Sequence, residues 1–186
     1  MLYVTTPAFK QSVSIPDSAT DSDVVMALEA ASRAVEEITQ RRFWKDSSPA
    51  TRTFTAATRC HVRIDDITQI DTVASAGTTI TDYVARPANA VADGKPYTSL
   101  KSSTGIFSTA DDAIEVTGLF GWPDVPGQVP QMVTILASKM LKRTREAPFG
   151  IVTAGSLEGI AVQLARTDPD MRLLIEPLMR YSMLVA

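Results

Sequence analysis

Apolar and polar residues alternate with two different periods along this chain, and the period changes twice. From residue 22 to residue 44 apolar side chains recur every three or four positions, which places them on one face of an α-helix. The apolar positions are Val24, Leu28, Ala31, Val35 and Ile38. The pattern predicts a long amphipathic helix over 22–44.

Both ends of this predicted helix carry residues that can stabilise helix ends by capping or by charge. Thr20-Asp21-Ser22-Asp23 supplies side-chain oxygens and negative charge for the first backbone N–H groups. Arg41-Arg42-Phe43-Trp44 places cations where the last carbonyls lack partners. The preceding residues 1–19 contain Pro7 and Pro16 and predict an extended N-terminal arm without helix.

Over residues 51–119 the period changes to two, which is typical of β-strands. Gly77 and its Ser, Thr and Asp neighbours are turn signals. The candidate strands are Arg52–Thr55, Cys60–Ile64, Ile67–Val73, Ile80–Ala85, Tyr97–Leu100 and Ala113–Leu119. Together they predict a small antiparallel sheet.

A second helical pattern follows a dense cluster of helix breakers at 121–127. Pro130 fits the first turn of this helix, which is predicted over 129–146. Its apolar side is formed by Val129, Met132, Val133, Leu136, Met140 and Leu141. Its C-terminal end is basic and carries Lys139, Lys142, Arg143 and Arg145.

The last part of the chain, 149–186, predicts a glycine-containing linker and a C-terminal helical tail. Asp168 would cap the final helix, Pro169 would open it, and Pro177 would kink or split it. The sequence therefore predicts an α+β fold in which long amphipathic helices flank a small antiparallel β-rich segment, with a C-terminal helix. The expected regions are an arm at 1–19, a core at 20–148 and the tail.

Composition is that of an ordinary globular protein, with 45% hydrophobic and 21% charged residues among 186. One cysteine excludes an intrachain disulfide, and no apolar run is long enough to predict a membrane span. The net charge of -3 is uneven, since residues 1–126 carry 11 basic and 16 acidic side chains and residues 127–186 carry 7 and 5. Such asymmetry suits stacking against partners of opposite charge, although a solvated surface is the commoner explanation.

Residues able to perform catalysis are few. Cys60 and His61 are neighbours in a predicted strand, so their side chains point to opposite faces and cannot act as a nucleophile and base. The pairs Asp65-Asp66 and Asp111-Asp112 lack the spacing of an EF-hand loop and are interpreted as turn-forming acids. Neither pattern predicts an enzyme or a metal site.

A glycine-containing segment at 150–157 has the spacing of a phosphate-binding loop. Ser156 stands where such a loop needs lysine, and the preceding segment is predicted to be a helix, whereas a phosphate loop follows a strand. No cofactor is therefore expected.

Three features suit contact with partners. They are the N-terminal arm, the Phe43-Trp44 pair and the apolar tail, although large apolar groups near termini more often cover the chain's own core. The tail residues are Met171, Leu174, Leu178, Met179, Tyr181 and Met183. The basic cluster of the second helix could contact DNA phosphates or an acidic protein, or could simply be a solvated helix end.

The order of these elements resembles a known family. The segment Ala31–Trp44, the strand and aromatic-glycine turn Ile114–Trp122, the pair Val129-Pro130 and the basic ending Lys142–Glu146 follow one another as in tailed-phage head-to-tail connector proteins, also called head-completion or adaptor proteins. The resemblance covers about Asp21 to Glu146. The β-rich middle is longer here than in the smallest, nearly all-helical members.

This resemblance implies a structural virion protein without enzymatic activity. Its members form a homo-oligomeric ring, usually of twelve subunits, docked under the portal protein, and the genome passes through the channel without sequence-specific contact. The implied locations are the virion neck and, before assembly, the host cytoplasm, with no membrane contact. A stopper or tail-completion protein is a further expected partner. The alternative identities for this chain are such a stopper or tail-completion protein, a nucleic-acid-binding protein and, least favoured, a small enzyme.

Overall fold

The computed structural model describes residues 1–14, 21–146 and 169–180. The chain forms two compact units. Unit 1 comprises the described residues of Met1–Arg41 and Pro126–Ala186, and unit 2 is Arg42–Val125. Unit 1 is helical and unit 2 contains an antiparallel sheet, so the predicted α+β class is confirmed.

Unit 1 is built mainly from α-helices. They are α1 (Thr6–Val13), α2 (Asp21–Thr39), α3 (Gln128–Glu146) and α4 (Pro169–Ile175), the last followed by a 3-10 turn at Glu176–Leu178. Helices α2 and α3 pack against each other. All five apolar positions predicted for the first long helix are buried. On α3 the side chains of Val129, Met132, Val133 and Leu136 are buried in the same unit.

The expectation of a non-helical N-terminal arm is wrong for Thr6–Val13, which form α1. Pro7 lies in the first turn of α1, where its missing N–H would have no helical partner in any case. Phe9 is fully buried. The hydroxyl of Tyr3 donates a hydrogen bond of 2.5 Å to Oε1 of Glu36 on α2. The N-terminal residues are therefore part of the packed unit.

Helix α2 ends at Thr39, five residues before the predicted end at Trp44. Gln40 has a φ of 54°, a left-handed conformation that takes the chain out of the helix. The N–H of Arg41 then donates to the carbonyl of Glu36 at 3.3 Å. The two arginines after Gln40 consequently do not occupy the last helical turn.

Unit 2 contains one antiparallel sheet. Its strands are β1 (Ala50–Phe54), β2 (His61–Ser75), β3 (Thr78–Thr79), β4 (Val84–Arg86), β5 (Tyr97–Lys101) and β6 (Ile114–Phe120). They are ordered β1-β6-β2-β5-β4, and β3 pairs with the end of β2. Of the single strand predicted at Ile80–Ala85, only Val84 and Ala85 lie in a strand, β4, and the short β3 precedes the predicted range.

The two strands predicted at 60–64 and 67–73 are one long strand, β2. Its register with β5 and β6 shifts near Arg63, Ile67 and Ile70, as expected where bulges bend a long strand. The interpretation of Asp65-Asp66 as a turn is therefore wrong. Tertiary contacts keep both acids inside a strand.

One face of the sheet forms the core of unit 2. Its buried members are Ala56, Val62, Ile64, Ile67, Val73, Leu100, Phe107, Ile114, Val116 and Phe120. Their alternation along β2, β5 and β6 is the period of two that the sequence displays. Exposed residues of the other face include Thr51, Thr53 and Thr72.

The C-terminal predictions fall partly outside the described residues. Helix α4 and the 3-10 turn are separate, and Pro177 lies in the turn, as expected for a proline that splits a helix. The predicted linker, the glycine-containing segment at 150–157 and the cap Asp168 lie outside the described residues. No described helix is long and apolar enough to span a membrane.

Candidate interaction surfaces

Two aromatic motifs of the sequence meet within unit 2. The rings of Phe43 and Trp122 lie 5.4 Å apart, centroid to centroid, and are tilted by 52°. Phe43 is 0% exposed and Trp122 is 6% exposed. Phe43, Trp44, Asp66, Gly121 and Trp122 are called the aromatic junction below. Phe43 therefore belongs to the core and offers no surface in this fold, contrary to its assignment as an interaction residue.

The buried Asp66 fixes the position of Trp122. Its Oδ2 accepts a hydrogen bond of 2.9 Å from Nε1 of Trp122. Its backbone carbonyl accepts a second bond, of 2.7 Å, from the N–H of Gly121. A buried carboxylate needs such partners, because an unpaired one is costly. Asp66 thus joins the middle of β2 to the residues that follow β6.

Gly121 permits the close approach of two chain segments. Its φ of 107° is strained for any residue with a side chain. A Cβ atom placed on Gly121 would also overlap the carbonyl oxygen of Trp44. The glycine of the aromatic-glycine turn is therefore required by the packing of the turn against the Phe43-Trp44 segment.

A chain of ion pairs runs beside the aromatic junction. Arg42 contacts Asp46 at 2.6 Å, and Arg52 contacts Asp65 at 2.9 Å and Asp46 at 3.6 Å. The guanidinium of Arg42 also lies 3.9 Å from the ring centroid of Trp44. These contacts hold the segment after α2 against β1 and β2.

Trp44 differs from Phe43 in being half-buried. Its Nε1 is shielded from solvent and has no hydrogen-bond partner among the residues that the structure describes. A buried indole N–H is normally paired. The ring of Trp44 therefore packs against Arg42, while its N–H has no hydrogen bond among the described residues.

The predicted basic cluster lies at the end of α3. Lys142 and Arg143 are exposed and Lys139 is half-buried. The side chain of Arg145 lies outside the described residues. Positive charge is therefore accessible at this end of the helix, as a surface for partners would require.

The tail residues divide into three groups. Met171 and Leu178 are buried within unit 1, so they fill the chain's own core. Leu174 and Met179 are half-buried, and Tyr181 and Met183 lie outside the described residues.

Sequence reasoning missed the most exposed apolar side chain of α4. Leu173 is 73% exposed, and Met26 on α2 is 54% exposed. Neither residue belongs to the predicted buried face of its helix. An apolar residue outside that face was the sequence signal that could have identified them as exposed. Both are accessible to a partner.

The residues considered for catalysis lie beside or within β2 and in the turn before β6. Cys60 is exposed and precedes β2, and His61 begins that strand. Asp111-Asp112 lie in a turn, as expected, with Asp112 at a φ of 52°. The described residues contain no group of three potential metal ligands from His, Cys, Asp and Glu. Burial raises the pKa of Tyr83 above its usual value of 10.0.

A shallow groove of about 450 Å³ lies in unit 2, near the end of β2. It is lined by Arg59, Ser75, Ala76, Ile106, Phe107, Ser108 and Thr109. The hydroxyl of Ser75 already donates to the carbonyl of Ile106 and accepts from the N–H of Ser108. The Ser75 hydroxyl in this groove therefore already has hydrogen-bond partners within the chain.

No family model and no curated protein matches this sequence. The structure is similar to a solved chain described as "Neck of empty GTA particle computed with C6 symmetry", where GTA denotes a gene transfer agent. The TM-score is 0.58 and the identity 14%, and the match covers 98% of this chain and 92% of the other. At this identity the likeness shows a shared fold, which includes both units.

Proposed function

We propose that this chain is a structural protein of the neck of a phage-like particle, and specifically a head-to-tail adaptor. In this role it forms a ring under the portal and joins the DNA-filled head to the tail. The observation that carries the proposal is the fold shared with a neck chain over 98% of the sequence.

The aromatic junction is a second observation that favours the proposed assignment. The two segments that resemble the adaptor family, one ending in Phe43-Trp44 and one ending in Gly121-Trp122, lie far apart in sequence. In unit 2 they pack on each other through the Phe43 and Trp122 rings. The resemblance therefore rests on one packed structure, and not on two unrelated short motifs.

A ring built from one protein requires two different patches on each copy. Such a head-to-tail interface closes when the rotation between neighbours divides a full turn. The neck of the similar structure was computed with sixfold symmetry. Twelve copies, the number usual in the adaptor family, are compatible with that symmetry as two sets of six.

The proposed role is geometric and electrostatic, with no catalytic step. The chain carries a net charge of -3, so a channel lined by it would retain DNA weakly. Weak retention suits a genome that must pass through. Cys60 is exposed just before β2 and His61 begins that strand, and the proposal assigns neither residue a chemical role.

The proposal is tested by co-expressing the chain with the portal protein of the same particle. Electron microscopy should show an added ring on the tail side of the portal, and native mass spectrometry should give the copy number. Twelve copies support the adaptor ring. Absence of any binding to the portal overturns the adaptor role.

A stopper or tail-completion protein is the second candidate, because the similar structure is described as a neck without a named component. Binding to tail proteins with no binding to the portal would favour it. A nucleic-acid-binding protein is the third candidate, supported by the exposed Lys142 and Arg143. Salt-dependent DNA binding by the isolated protein, lost on reversing these charges, would favour that class.

A further inference from the structure

The outward side of α2 is acidic. The helix contains five acidic residues and one arginine. Glu29 and Glu37 are exposed on the side of the helix that carries Met26. Glu29 lies about one turn after Met26, and Glu37 lies about three turns, or about 16 Å, from Met26 along the same side. Neither glutamate has an ion-pair partner within the described parts of the chain. Met26, Glu29 and Glu37 are called the acidic stripe.

The C-terminal end of α3 has the opposite sign. Lys139, Lys142 and Arg143 lie within five residues of one another, and α3 contains no acidic residue before them. Lys142 and Arg143 are exposed. These three residues are called the basic end. The acidic stripe and the basic end therefore lie on different helices of the same unit.

We propose that the acidic stripe of one copy binds the basic end of α3 in the neighbouring copy of the ring. This inference rests on the proposed adaptor function. Two patches of opposite sign on separate helices satisfy the requirement of a head-to-tail interface, in which each copy offers two different surfaces. A second copy of this chain is the partner that is certain to carry both.

The same charges disfavour a twofold dimer built from like patches. In a twofold dimer that joins like patches, the acidic stripe would face another acidic stripe, and like charges repel. The exposed thioether of Met26 supplies apolar contact area that a purely charged surface lacks. The stripe thus combines an apolar contact with a charge that selects the basic end.

DNA is a weaker partner for the basic end. Proteins that bind DNA by charge neutralise several phosphates at once, whereas this end exposes two cations on a chain of net charge -3. The acidic stripe, with its two exposed glutamates, has the opposite charge to these exposed cations.

The test uses two charge-reversed forms of the full chain. The first carries Glu29→Arg and Glu37→Arg, and the second carries Lys142→Glu and Arg143→Glu. Sedimentation at about 0.1 M salt, with and without the portal protein, measures the fraction in rings, because charge is screened more weakly there than at 1 M. Each form alone should show at least about a tenfold loss of ring assembly, since like charges then meet at every contact.

Two combinations should restore assembly. An equimolar mixture of the two reversed forms can alternate around an even-numbered ring, so that each contact again joins opposite signs. A single chain carrying all four substitutions should also form rings with itself. Restoration is not expected if the reversed forms fail by unfolding, so it distinguishes a lost contact from a lost fold.

Matched controls change the same number of charges on unit 2. They are Asp71→Arg with Glu115→Arg, and Lys95→Glu with Lys101→Glu, all at exposed positions. Rings should form normally in both. A comparable loss in these controls would mean that net charge governs assembly, which overturns the proposed contact.

The remaining outcomes are equally decisive. Normal rings from either reversed form, or failure of the mixture, would show that the acidic stripe and the basic end do not meet, while the adaptor function stands. Normal rings combined with loss of DNA binding in the second form would assign the basic end to DNA. If the unaltered chain forms no ring and does not bind the portal, both the contact and the adaptor function are wrong.

Discussion

The indole N–H of Trp122 donates a hydrogen bond of 2.9 Å to the carboxylate of Asp66, and both residues are buried. Through this bond the chain leaving the sheet after β6 is fixed to the middle of β2. The adjacent ring of Phe43 completes the packing around Trp122. The aromatic-glycine turn is a common pattern in sequence, but in this structure its Trp122 has defined partners in Asp66 and Phe43.

Replacing the two tryptophans of the aromatic junction by phenylalanine, one at a time, should change the free energy of unfolding differently. Trp122→Phe removes the donor to Asp66 and leaves a buried acceptor short of a partner, which costs about 1–3 kcal/mol. Trp44→Phe removes an N–H that has no described partner, so the free energy of unfolding should change little or rise. Urea denaturation of both variants measures the difference. A larger loss in Trp44→Phe would contradict the assignment of the bond.

Alanine at three glycines separates backbone strain from steric overlap. Gly127→Ala meets open space, and Gly77→Ala meets open space at a φ of 77°. Gly121→Ala combines positive φ with overlap of the Trp44 carbonyl. We expect little change, a loss of about 1 kcal/mol, and a loss of more than about 2 kcal/mol respectively. Thermal unfolding ranks the three, and a Gly121→Ala variant as stable as Gly127→Ala would refute the close approach.

Phe43→Ala tests whether this residue is core or docking surface. Truncating a fully buried phenylalanine costs about 3–5 kcal/mol. The isolated variant should therefore lose stability before any partner is added, as measured by chemical denaturation. Leu173→Ala, at a side chain that is 73% exposed, is the control and should change stability by less than about 0.5 kcal/mol. Unchanged stability in Phe43→Ala would restore its assignment to a docking surface.

Truncation of Phe9 tests whether α1 is docked. Phe9→Ala should expose the backbone of Thr6–Val13 to hydrogen exchange, because Phe9 is the buried apolar residue of α1. Exchange in β2 should be unaltered, since that strand belongs to the other unit. Rapid exchange of α1 in the unaltered chain would instead support the extended arm.

The raised pKa of Tyr83 makes unit 2 sensitive to alkaline pH. Burial favours the neutral phenol in the folded state, so the unfolded state ionises first as pH rises through 10.0. The contribution of Tyr83 is complete below that pH and is lost as pH rises toward the folded pKa. The urea midpoint should fall less between about pH 9 and pH 11 in Tyr83→Phe than in the unaltered chain. Equal slopes would mean that Tyr83 is solvated.

Local patterns predicted the elements of the fold better than their ends. The period of the apolar residues placed Val24, Leu28 and Ile38 on a buried face, since periodicity reports directly on burial. It could not place the end of α2, which depends on the left-handed Gln40 and on later packing. Nor could it show that Asp66 lies within a strand, because its partner Trp122 is 56 residues away in sequence.

The interaction surfaces were harder to predict for a related reason. A large apolar side chain near a helix end has the same sequence pattern whether it fills a core or meets a partner. Phe43, Met171 and Leu178 proved to be core residues, whereas Leu173 is exposed although it adjoins the predicted stripe. The basic end was visible in sequence because charge requires no tertiary partner to be recognised.

The aromatic junction also determines how the β unit is inserted into the chain. Unit 2 begins at Arg42 and ends at Val125, and near these two ends the rings of Phe43 and Trp122 are 5.4 Å apart. The contact between these rings holds the first and last segments of unit 2 together. The distance between its two ends therefore does not depend on the length of the distant strands and loops. Changes of length in the loops between the distant strands are therefore expected to leave the spacing between the two ends of unit 2 unaltered.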